Sequence, residues 1–267
     1  MKITTTKLLK SVALGAVAAL IATFCFSHQG RGKARDFAQI NAEGTLRAVT
    51  VFNSIGYVID SNAVSGFQYG LLQALARHYG WRVIIQTEAT YDQRLKGLSE
   101  GLFDLIASNI ATTSEQKKNL LLTTPILLTK QVLVQRREAT LVRSHLDLAG
   151  KTLYVPKGSP AKLRIRNLEE EIGEAIYIRE TDHTTAEQLI GLVADGSIDY
   201  AVCDEHIARA ASDTLPQIDL NTDISFTQFY SWGVSKESPV LLDSLNAWLT
   251  GYMQTGEFRE LYDRYYK

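Results

Sequence analysis

A repeated alternation of amphipathic stretches and short apolar runs is the sequence feature that most limits how this chain can fold. An amphipathic stretch that ends at Gly101 is followed by the apolar run 103–108. A second stretch, which ends at Gly196, is followed by the run 198–203. Such alternation is typical of helices and strands that build a mostly parallel sheet. Because the unit occurs in both halves of the chain, we predict two lobes of similar construction.

Helix and strand boundaries can be predicted around this repeat. Phe67, Leu71 and Leu75 recur every four residues. This spacing lines one face of a helix over 66–79, and Gly80 is suited to end that helix in the left-handed conformation. Further helices are predicted over 91–100, 184–195 and from 239 onward, and strands over 46–52, 81–86, 103–108 and 198–203.

Two extended runs, 130–136 and 226–235, have the right length to carry the chain out to a second lobe and back. The predicted fold class is therefore α/β, with each lobe a mostly parallel sheet flanked by helices and the lobes joined by two crossover strands. A cleft between lobes is a frequent site for small ligands and for hinge closure. The predicted boundaries are 44–136 for the first part of lobe 1, 137–228 for lobe 2, and 229–267 for the return strand and C-terminal helices of lobe 1.

The N-terminal segment differs from the rest of the chain. Three lysines precede an uncharged apolar run, the order typical of an export signal. The run is slightly shorter than the roughly 20 residues of a membrane-spanning helix, so a cleaved signal and a retained anchor both remain open; Cys25 would be the acylated residue of a lipoprotein. We predict a signal peptide or membrane anchor over 1–34, with any membrane tether through 8–27, and a short tether over 35–43. The protein is then expected in the periplasm, secreted or membrane-tethered.

Composition excludes several classes of function. The chain has 28 Lys and Arg against 29 Asp and Glu, which leaves no basic excess for nucleic-acid binding. Cys203 lies in an apolar run, which favours a buried thiol over a nucleophile. His183 and His206 are too far apart in the chain to indicate a metal pair. No phosphate-binding loop, nucleophile elbow or dinucleotide motif occurs, and we expect a monomer with no cofactor and no metal.

Six short segments in register carry a family resemblance. They are 43–47, 66–67, 101–107, 113–118 with 124–125, 150–155 with 158–159, and 198–204. In order and spacing they resemble family 3 periplasmic solute-binding proteins over residues 44–267. The resemblance implies the two-lobed periplasmic-binding-protein fold and the capture of a small polar ligand in the interlobe cleft, for transport or sensing.

Within that family the chain looks most like the N-terminal, solute-binding-like domain of membrane-bound lytic transglycosylase F, in the segments 37–47, 130–134 and 185–204. That enzyme continues into a lysozyme-like domain with a catalytic Glu, whereas this sequence ends at Lys267. The resemblance therefore implies no catalytic residue and no glycan cleavage. The implied partners are a small-molecule ligand and either an ABC transporter permease or an envelope enzyme.

The resemblance also places candidate ligand residues. An aromatic residue that packs on the ligand corresponds to Tyr91, and an acid that takes the ligand's amino group corresponds to Asp204. The arginine that holds a ligand carboxylate is replaced here by Gln116, which cannot supply its charge. Ser159 lies at a helix start, where free backbone N–H groups can bind an anionic or carbonyl oxygen. The predicted ligand-binding residues are Tyr57, Tyr91, Ser108, Asn109, Gln116, Ser159 and Asp204.

Several of these candidates have a structural alternative. Gln116 follows Thr113 at capping-box spacing and can close a helix end. Asp204 can begin the following helix as its N-cap, and Ser108 with Asn109 can form a simple turn. The loss of the arginine makes a free α-amino acid a poor candidate ligand and favours a neutral or amine-bearing polar molecule, such as a cell-wall fragment.

Two other functions remain open. Some relatives of this fold are dehydratases of a cyclohexadienyl acid, and such an enzyme would need a general acid or base, for which Asp204 is a candidate, and a cation where Gln116 stands. Alternatively, the changed pocket residues indicate a regulatory or partner-binding domain whose cleft holds no ligand.

Overall fold

The computed structural model describes residues 32–60, 63–182 and 184–266. The apolar run 11–27 and nearly all of the predicted signal or anchor lie outside this part of the chain. Within it, no helix is both long enough and apolar enough to cross a membrane.

Helices and strands alternate along the described chain. In order, the first part contains α1 (Phe37–Glu43), β1 (Thr45–Thr50), β2 (Val58–Asp60), β3 (Ala63–Ser65), α2 (Phe67–Tyr79), β4 (Arg82–Thr87), α3 (Tyr91–Ser99), β5 (Leu105–Ala111), α4 (Gln116–Asn119), β6 (Leu121–Leu122) and β7 (Leu127–Thr129). The second part contains β8 (Gln131–Arg136), β9 (Thr152–Pro156), α5 (Ala161–Ile172), β10 (Tyr177–Thr181), α6 (Ala186–Ala194), β11 (Ala201–Asp204), α7 (Glu205–Ser212), β12 (Ile218–Asp223), β13 (Gln228–Val234), α8 (Pro239–Tyr252) and α9 (Gly256–Tyr266).

The longer strands form two sheets, and each sheet defines one lobe. In lobe 1 the strand order is β4-β1-β5-β13-β6, with β1 parallel to β4 and β5, and β13 antiparallel to β5. In lobe 2 the order is β10-β9-β11-β8-β12, with β8 antiparallel to both neighbours. The chain enters lobe 2 at β8 and returns to lobe 1 at β13. The predicted α/β fold of two lobes joined by two crossings is therefore confirmed. Both sheets are mixed rather than mostly parallel as predicted, because the strands β8 and β13 at the crossings pair antiparallel with their neighbours.

Burial of the predicted helix faces holds lobe 1 together. Phe67, Leu71 and Leu75 on α2 are fully buried, as is Leu241 on α8 in the same core. Each such side chain stabilises the fold by about 1.5–3 kcal/mol. Gly80 ends α2 with a φ of 69°, the left-handed conformation that favours glycine.

Residues 37–43 form helix α1, so the predicted tether over 35–43 is wrong. Asp36 caps this helix, because its carboxylate accepts the backbone N–H of Phe37 at 2.8 Å. Ile40 is fully buried, and the ring of Phe37 lies 5.6 Å from that of Trp81. Two apolar residues three positions apart thus dock one face of this helix on lobe 1, and the backbone N–H of Leu241 adds a hydrogen bond to the Asp36 carboxylate at 2.6 Å.

A buried ion cluster also attaches the first described residues to lobe 1. The carboxylate of Asp104 is fully buried. It accepts a hydrogen bond from Arg35 Nε at 3.0 Å and pairs with Arg47 Nη2 at 2.8 Å. Two guanidinium groups thus compensate one carboxylate, which offsets the cost of removing it from water.

The repeat seen in the sequence recurs as a repeated contact. Asp104, just before β5, pairs with Arg47 on the neighbouring strand β1. Asp199, just before β11, pairs with Arg136 on the neighbouring strand β8 at 2.7 Å. The paired strands are parallel in lobe 1 and antiparallel in lobe 2, and only the first of these carboxylates is buried. The Arg–Asp pair thus recurs in a different strand geometry, and lobe 1 depends on it more strongly.

Replacement of Arg35 tests whether its buried ion pair contributes more to the free energy of unfolding than an exposed pair does. We expect Arg35→Ala to lower the free energy of unfolding by about 2–3 kcal/mol, because Asp104 stays buried with Arg47 as its remaining partner. Arg77→Ala, which removes an exposed pair with Glu257, should cost less than about 1 kcal/mol. Urea denaturation of both variants measures the difference, and equal losses would contradict the anchoring role of Arg35.

Candidate functional site

A cavity of about 350 Å³ lies between the lobes. Lobe 1 contributes residues that follow β1, β4 and β5, and lobe 2 contributes residues that follow β9 and β11. These are carboxyl ends of strands, where ligands bind in α/β sheets. Six of the seven predicted ligand residues line the cavity: Tyr91, Ser108, Asn109, Gln116, Ser159 and Asp204.

Tyr57 is the exception, and its prediction as a cleft residue is wrong. It is buried, and its ring lies 6.2 Å from that of Tyr69 in lobe 1. Tyr57 forms an isolated bridge with Asn53, and it is Asn53 that lines the cavity. The short loop between Asn53 and Tyr57 folds back on itself. Asn53 therefore takes the place in the cavity wall that was predicted for Tyr57.

Ser108 and Asn109 lie within β5, so the alternative of a simple turn is wrong. The strand continues to Ala111 because β13 pairs with it, with Tyr230 opposite Ala111 and Ser231 opposite Ile110. This partner strand comes from the return crossing, far away in the sequence. The extension places the Asn109 side chain in the cavity wall.

Asp204 ends β11 and faces the cavity. Its carboxylate accepts a hydrogen bond from the hydroxyl of Tyr230 at 3.3 Å and makes no cap bond to α7, so the N-cap alternative is not supported by its side chain. Burial raises the pKa of Asp204 to about 6. The group is therefore mostly ionised at neutral pH, and no cationic side chain of the described chain forms an ion pair with it.

Gln116 and Tyr91 contact each other in lobe 1. The Tyr91 hydroxyl donates a hydrogen bond to Gln116 Oε1. The backbone N–H of Gln116 donates to Thr113 Oγ1 at 3.2 Å, which is one half of the predicted capping box, but the side chain goes to Tyr91. Burial raises the pKa of Tyr91 to about 12, so its hydroxyl remains a proton donor at neutral pH.

The N–H groups around Ser159 already have acceptors, which contradicts the predicted oxygen-binding site there. Ser159 N donates to Pro156 O at 3.0 Å, and Ala161 N donates to Ser159 Oγ at 3.3 Å. Gly158 N donates to a carboxylate oxygen of Glu180 at 3.2 Å. Ser159 lines the cavity, but the turn before α5 has used the donors that an anion would need.

A chain of hydrogen bonds through side-chain amides crosses the cleft, and no pattern in the sequence indicates it. Trp232 Nε1 donates to Gln68 Oε1 at 2.6 Å, and Gln68 Nε2 donates to Asn109 Oδ1 at 2.9 Å. Asn109 Nδ2 lies 3.2 Å from Nε2 of His206, on α7 of lobe 2. Because an amide nitrogen can only donate, His206 Nε2 is the acceptor and the imidazole proton is on Nδ1. Burial lowers the pKa of His206 to about 4, which keeps the ring neutral at pH 7.

Further contacts bring the lobes together. Glu187, on α6 of lobe 2, accepts hydrogen bonds from the backbone N–H and the hydroxyl of Ser54 at 3.0 and 3.2 Å. Gly158 approaches so closely that an added Cβ would lie 3.6 Å from the Cβ of Tyr91. The lobes are therefore in direct contact beside the cavity, in a closed arrangement.

The remaining titratable groups of the wall do not suggest a metal or a nucleophile. Cys203 is buried, and burial raises the pKa of its thiol well above the ordinary value. Among the described residues no group of three or more His, Cys, Asp or Glu side chains is placed to hold a metal ion. His183 lies outside the described residues.

The chain forms two α/β lobes, connected by two crossings, that enclose a polar cavity. This arrangement is that of a two-lobed solute-binding protein. Residues 46–267 match bacterial extracellular solute-binding proteins, family 3. The chain belongs to that family, as the resemblance of its segments implied.

Curated relatives include two enzymes with the same name. Membrane-bound lytic murein transglycosylase F of Desulfosudis oleivorans is 27% identical over 228 residues, which cover 85% of this chain and 50% of the relative. The protein of that name from Ectopseudomonas mendocina is 27% identical over 232 residues, with coverages of 85% and 47%. The chain thus spans about half the length of these relatives.

Solved structures show the same fold. An ancestral arginine-binding protein bound to arginine has a TM-score of 0.75 at 22% identity, covering 84% of this chain and 99% of that protein. The solute receptor for L-cysteine of Neisseria gonorrhoeae has a TM-score of 0.76 at 20% identity, with coverages of 85% and 92%. An ancestral amino acid-binding protein, a precursor of cyclohexadienyl dehydratase, has a TM-score of 0.74 at 24% identity, with coverages of 86% and 98%.

Asp204 should destabilise the ligand-free protein at neutral pH. Its folded-state pKa lies above the ordinary value of 3.8, so the cost is fully present above pH 6 and disappears as the pH falls toward 4. We expect Asp204→Asn to raise the free energy of unfolding by about 2 kcal/mol at pH 8 and to have little effect near pH 4. Asp213→Asn, at an exposed position, is the control for denaturation at both pH values. A loss of stability in Asp204→Asn at pH 8 would contradict this assignment.

Proposed function

We propose that this chain is a solute-binding protein of the bacterial periplasm that captures a small polar ligand bearing an amino group and does not catalyse a reaction. The observation that carries the proposal is the carboxylate of Asp204, which faces the cleft, is mostly ionised at pH 7 and has no cationic partner in the described part of the chain. A protonated amine is the group that would compensate it. Two of the solved neighbours are described with arginine and L-cysteine, which both carry such a group.

The other walls suit a small polar molecule. Tyr91 offers a ring on which part of the ligand can pack, and Asn109 together with Gln68 offers amide groups. A volume of about 350 Å³ fits a molecule of the size of an amino acid. Because the wall includes residues of both lobes, a bound ligand would hold the lobes together.

A cleft that holds no ligand, as in a purely structural domain, is less well supported. Such a cleft would be packed shut by apolar side chains, whereas this one is lined by Tyr91, Asn109, Gln116 and Asp204. The match to about half of the length of the lytic transglycosylases supports an envelope enzyme as a partner. Membership of the solute-binding family supports a transporter permease as a partner.

A thermal-shift screen of the purified chain tests ligand capture directly. A ligand at one hundred times its dissociation constant should stabilise the protein by about 2.7 kcal/mol, a shift of a few degrees. The panel consists of amino acids, simple amines, muropeptides and neutral sugars. We expect shifts with amine-bearing compounds that are lost in Asp204→Asn and retained in Asp213→Asn. No shift with any compound, or shifts that survive Asp204→Asn, would contradict the proposal.

Binding should also depend on pH through Asp204. A cationic ligand prefers the ionised carboxylate, whose pKa in the free protein is about 6. The affinity is therefore expected to be constant above about pH 7 and to fall about tenfold for each pH unit below 6. Titration calorimetry between pH 5 and 8 measures this profile, and an affinity that is flat across the range would exclude Asp204 as the amine-binding group.

A further inference from the structure

Arg94 is a buried cation in the cleft wall for which the proposed function has no use so far. It lies on α3, is 8% exposed and lines the cavity. Its Nη1 donates to the backbone oxygens of Glu88 at 2.7 Å and Ala89 at 3.1 Å. Its Nε is buried without an acceptor. The carboxylates of Glu88 and Asp92 favour its charged form through space, but neither forms an ion pair with the guanidinium.

This arrangement is unfavourable unless something else compensates the charge. Removing a guanidinium from water is costly, and a buried charge is normally paired with an opposite charge. Burial lowers the pKa of Arg94 to about 10, so the group still carries its charge at neutral pH. Nη1 is held by the two carbonyl oxygens, and Nε is left without an acceptor in the described chain.

The other groups that might bind an anion in this cleft are already occupied. The amide oxygen of Gln116 accepts from Tyr91, and the backbone donors at Ser159 have acceptors. Lys157 lines the cavity, but its Nζ pairs with Asp182 at 2.7 Å. His206 is neutral at pH 7, since burial lowers its pKa to about 4. Arg94 is thus the cation of the described cavity wall that is left without an anionic partner.

The position of Arg94 fits a role beside the ligand. Arg94 and Tyr91 are three residues apart on α3 and share a face of that helix. The guanidinium carbon lies 5.8 Å from the centroid of the Tyr91 ring, within the distance of a cation–π contact. Asp204 belongs to lobe 2, whereas Arg94 belongs to lobe 1.

We infer that Arg94 is a second ligand anchor, which binds an anionic oxygen group, a carboxylate or a phosphate, of the same molecule whose amine binds Asp204. The inference builds on the proposed function and narrows its ligand class to compounds that carry both charges. It reverses the expectation that Gln116 excludes amino acids, because the missing cation is supplied from α3. A ligand of this kind compensates one buried charge in each lobe, so it favours the closed arrangement.

Matched pairs of compounds that differ only in the anionic group provide the test. L-lysine and cadaverine, L-ornithine and putrescine, and L-arginine and agmatine differ by the carboxylate, and phosphoethanolamine and ethanolamine differ by the phosphate. Titration calorimetry at pH 7.5 on the wild-type chain should show that at least one of the four compounds with an anionic group binds at least about tenfold more tightly than the amine with which it is paired. The carboxylate and phosphate pairs distinguish the two possible anions. Equal affinities within every pair would overturn the inference.

Variants of Arg94 separate ligand binding from packing. Arg94→Met removes the positive charge and keeps a side chain of similar shape. It should lower the affinity for the compound with the anionic group by about tenfold or more and change the affinity for the paired amine by less than about twofold. Arg94→Lys should recover part of the loss, and Arg77→Met, at an exposed position, should change neither affinity. Equal weakening of both members of a pair would show that Arg94 only supports the loop at Glu88 and would overturn the inference.

Two outcomes separate this inference from the proposed function. If the wild-type protein binds each amine as tightly as its partner with the anionic group, the role of Arg94 is overturned and the proposed function is not. Wild-type protein that binds none of the eight compounds counts against both. If Arg94→Met does not fold, as judged by circular dichroism, the comparison of paired compounds on the wild-type chain decides by itself.

Discussion

The ionised carboxylate of Asp204 is the constraint around which the cleft is organised. It lies at the end of a buried strand, held by one hydrogen bond from Tyr230 on the return strand of the other lobe. The environment that raises its pKa to about 6 also makes its charge unfavourable in the ligand-free protein. In the proposed function a ligand compensates this charge, which lies where both lobes contribute to the cavity wall.

The contacts between the lobes do not require a ligand. The bond between Asn109 and His206 and the bonds between Ser54 and Glu187 join uncharged or exposed groups across the cleft. Such contacts are weak individually, since each exchanges hydrogen bonds with water for hydrogen bonds within the protein. They are suited to a hinge whose open and closed forms differ by a few kcal/mol, so that the ligand decides which form is populated.

Much of the fold could be predicted because its signals are local. The buried face of α2 and its stop at Gly80 follow from residue spacing and from backbone conformation, and the repeat predicted two similar lobes. The tether over 35–43 was wrong because docking depends on Phe37 and Ile40 finding a surface that is distant in the sequence. The end of β5 was missed for the same reason, since β13 extends it.

The site was predictable to the extent that it lies at strand ends. Asp204 was predicted from the family resemblance, and its place at the end of an apolar run agrees with the gathering of polar residues at the carboxyl ends of strands. Asn109 was predicted at the end of a strand and lies in the cavity wall. Tyr57 was misplaced because its loop folds back toward Tyr69. Arg94 could not be recognised as a site residue from the sequence, because its significance lies in the absence of a counter-ion among the described neighbours, which only the three-dimensional arrangement reveals.

A crystal structure of the protein grown with the tightest-binding compound would locate both ends of the ligand. We expect a ligand in the interlobe cavity with its amine within about 3.2 Å of the Asp204 carboxylate and its anionic group within the same distance of the Arg94 guanidinium. A ligand bound elsewhere, or one in the cleft that contacts neither charged group, would contradict this expectation.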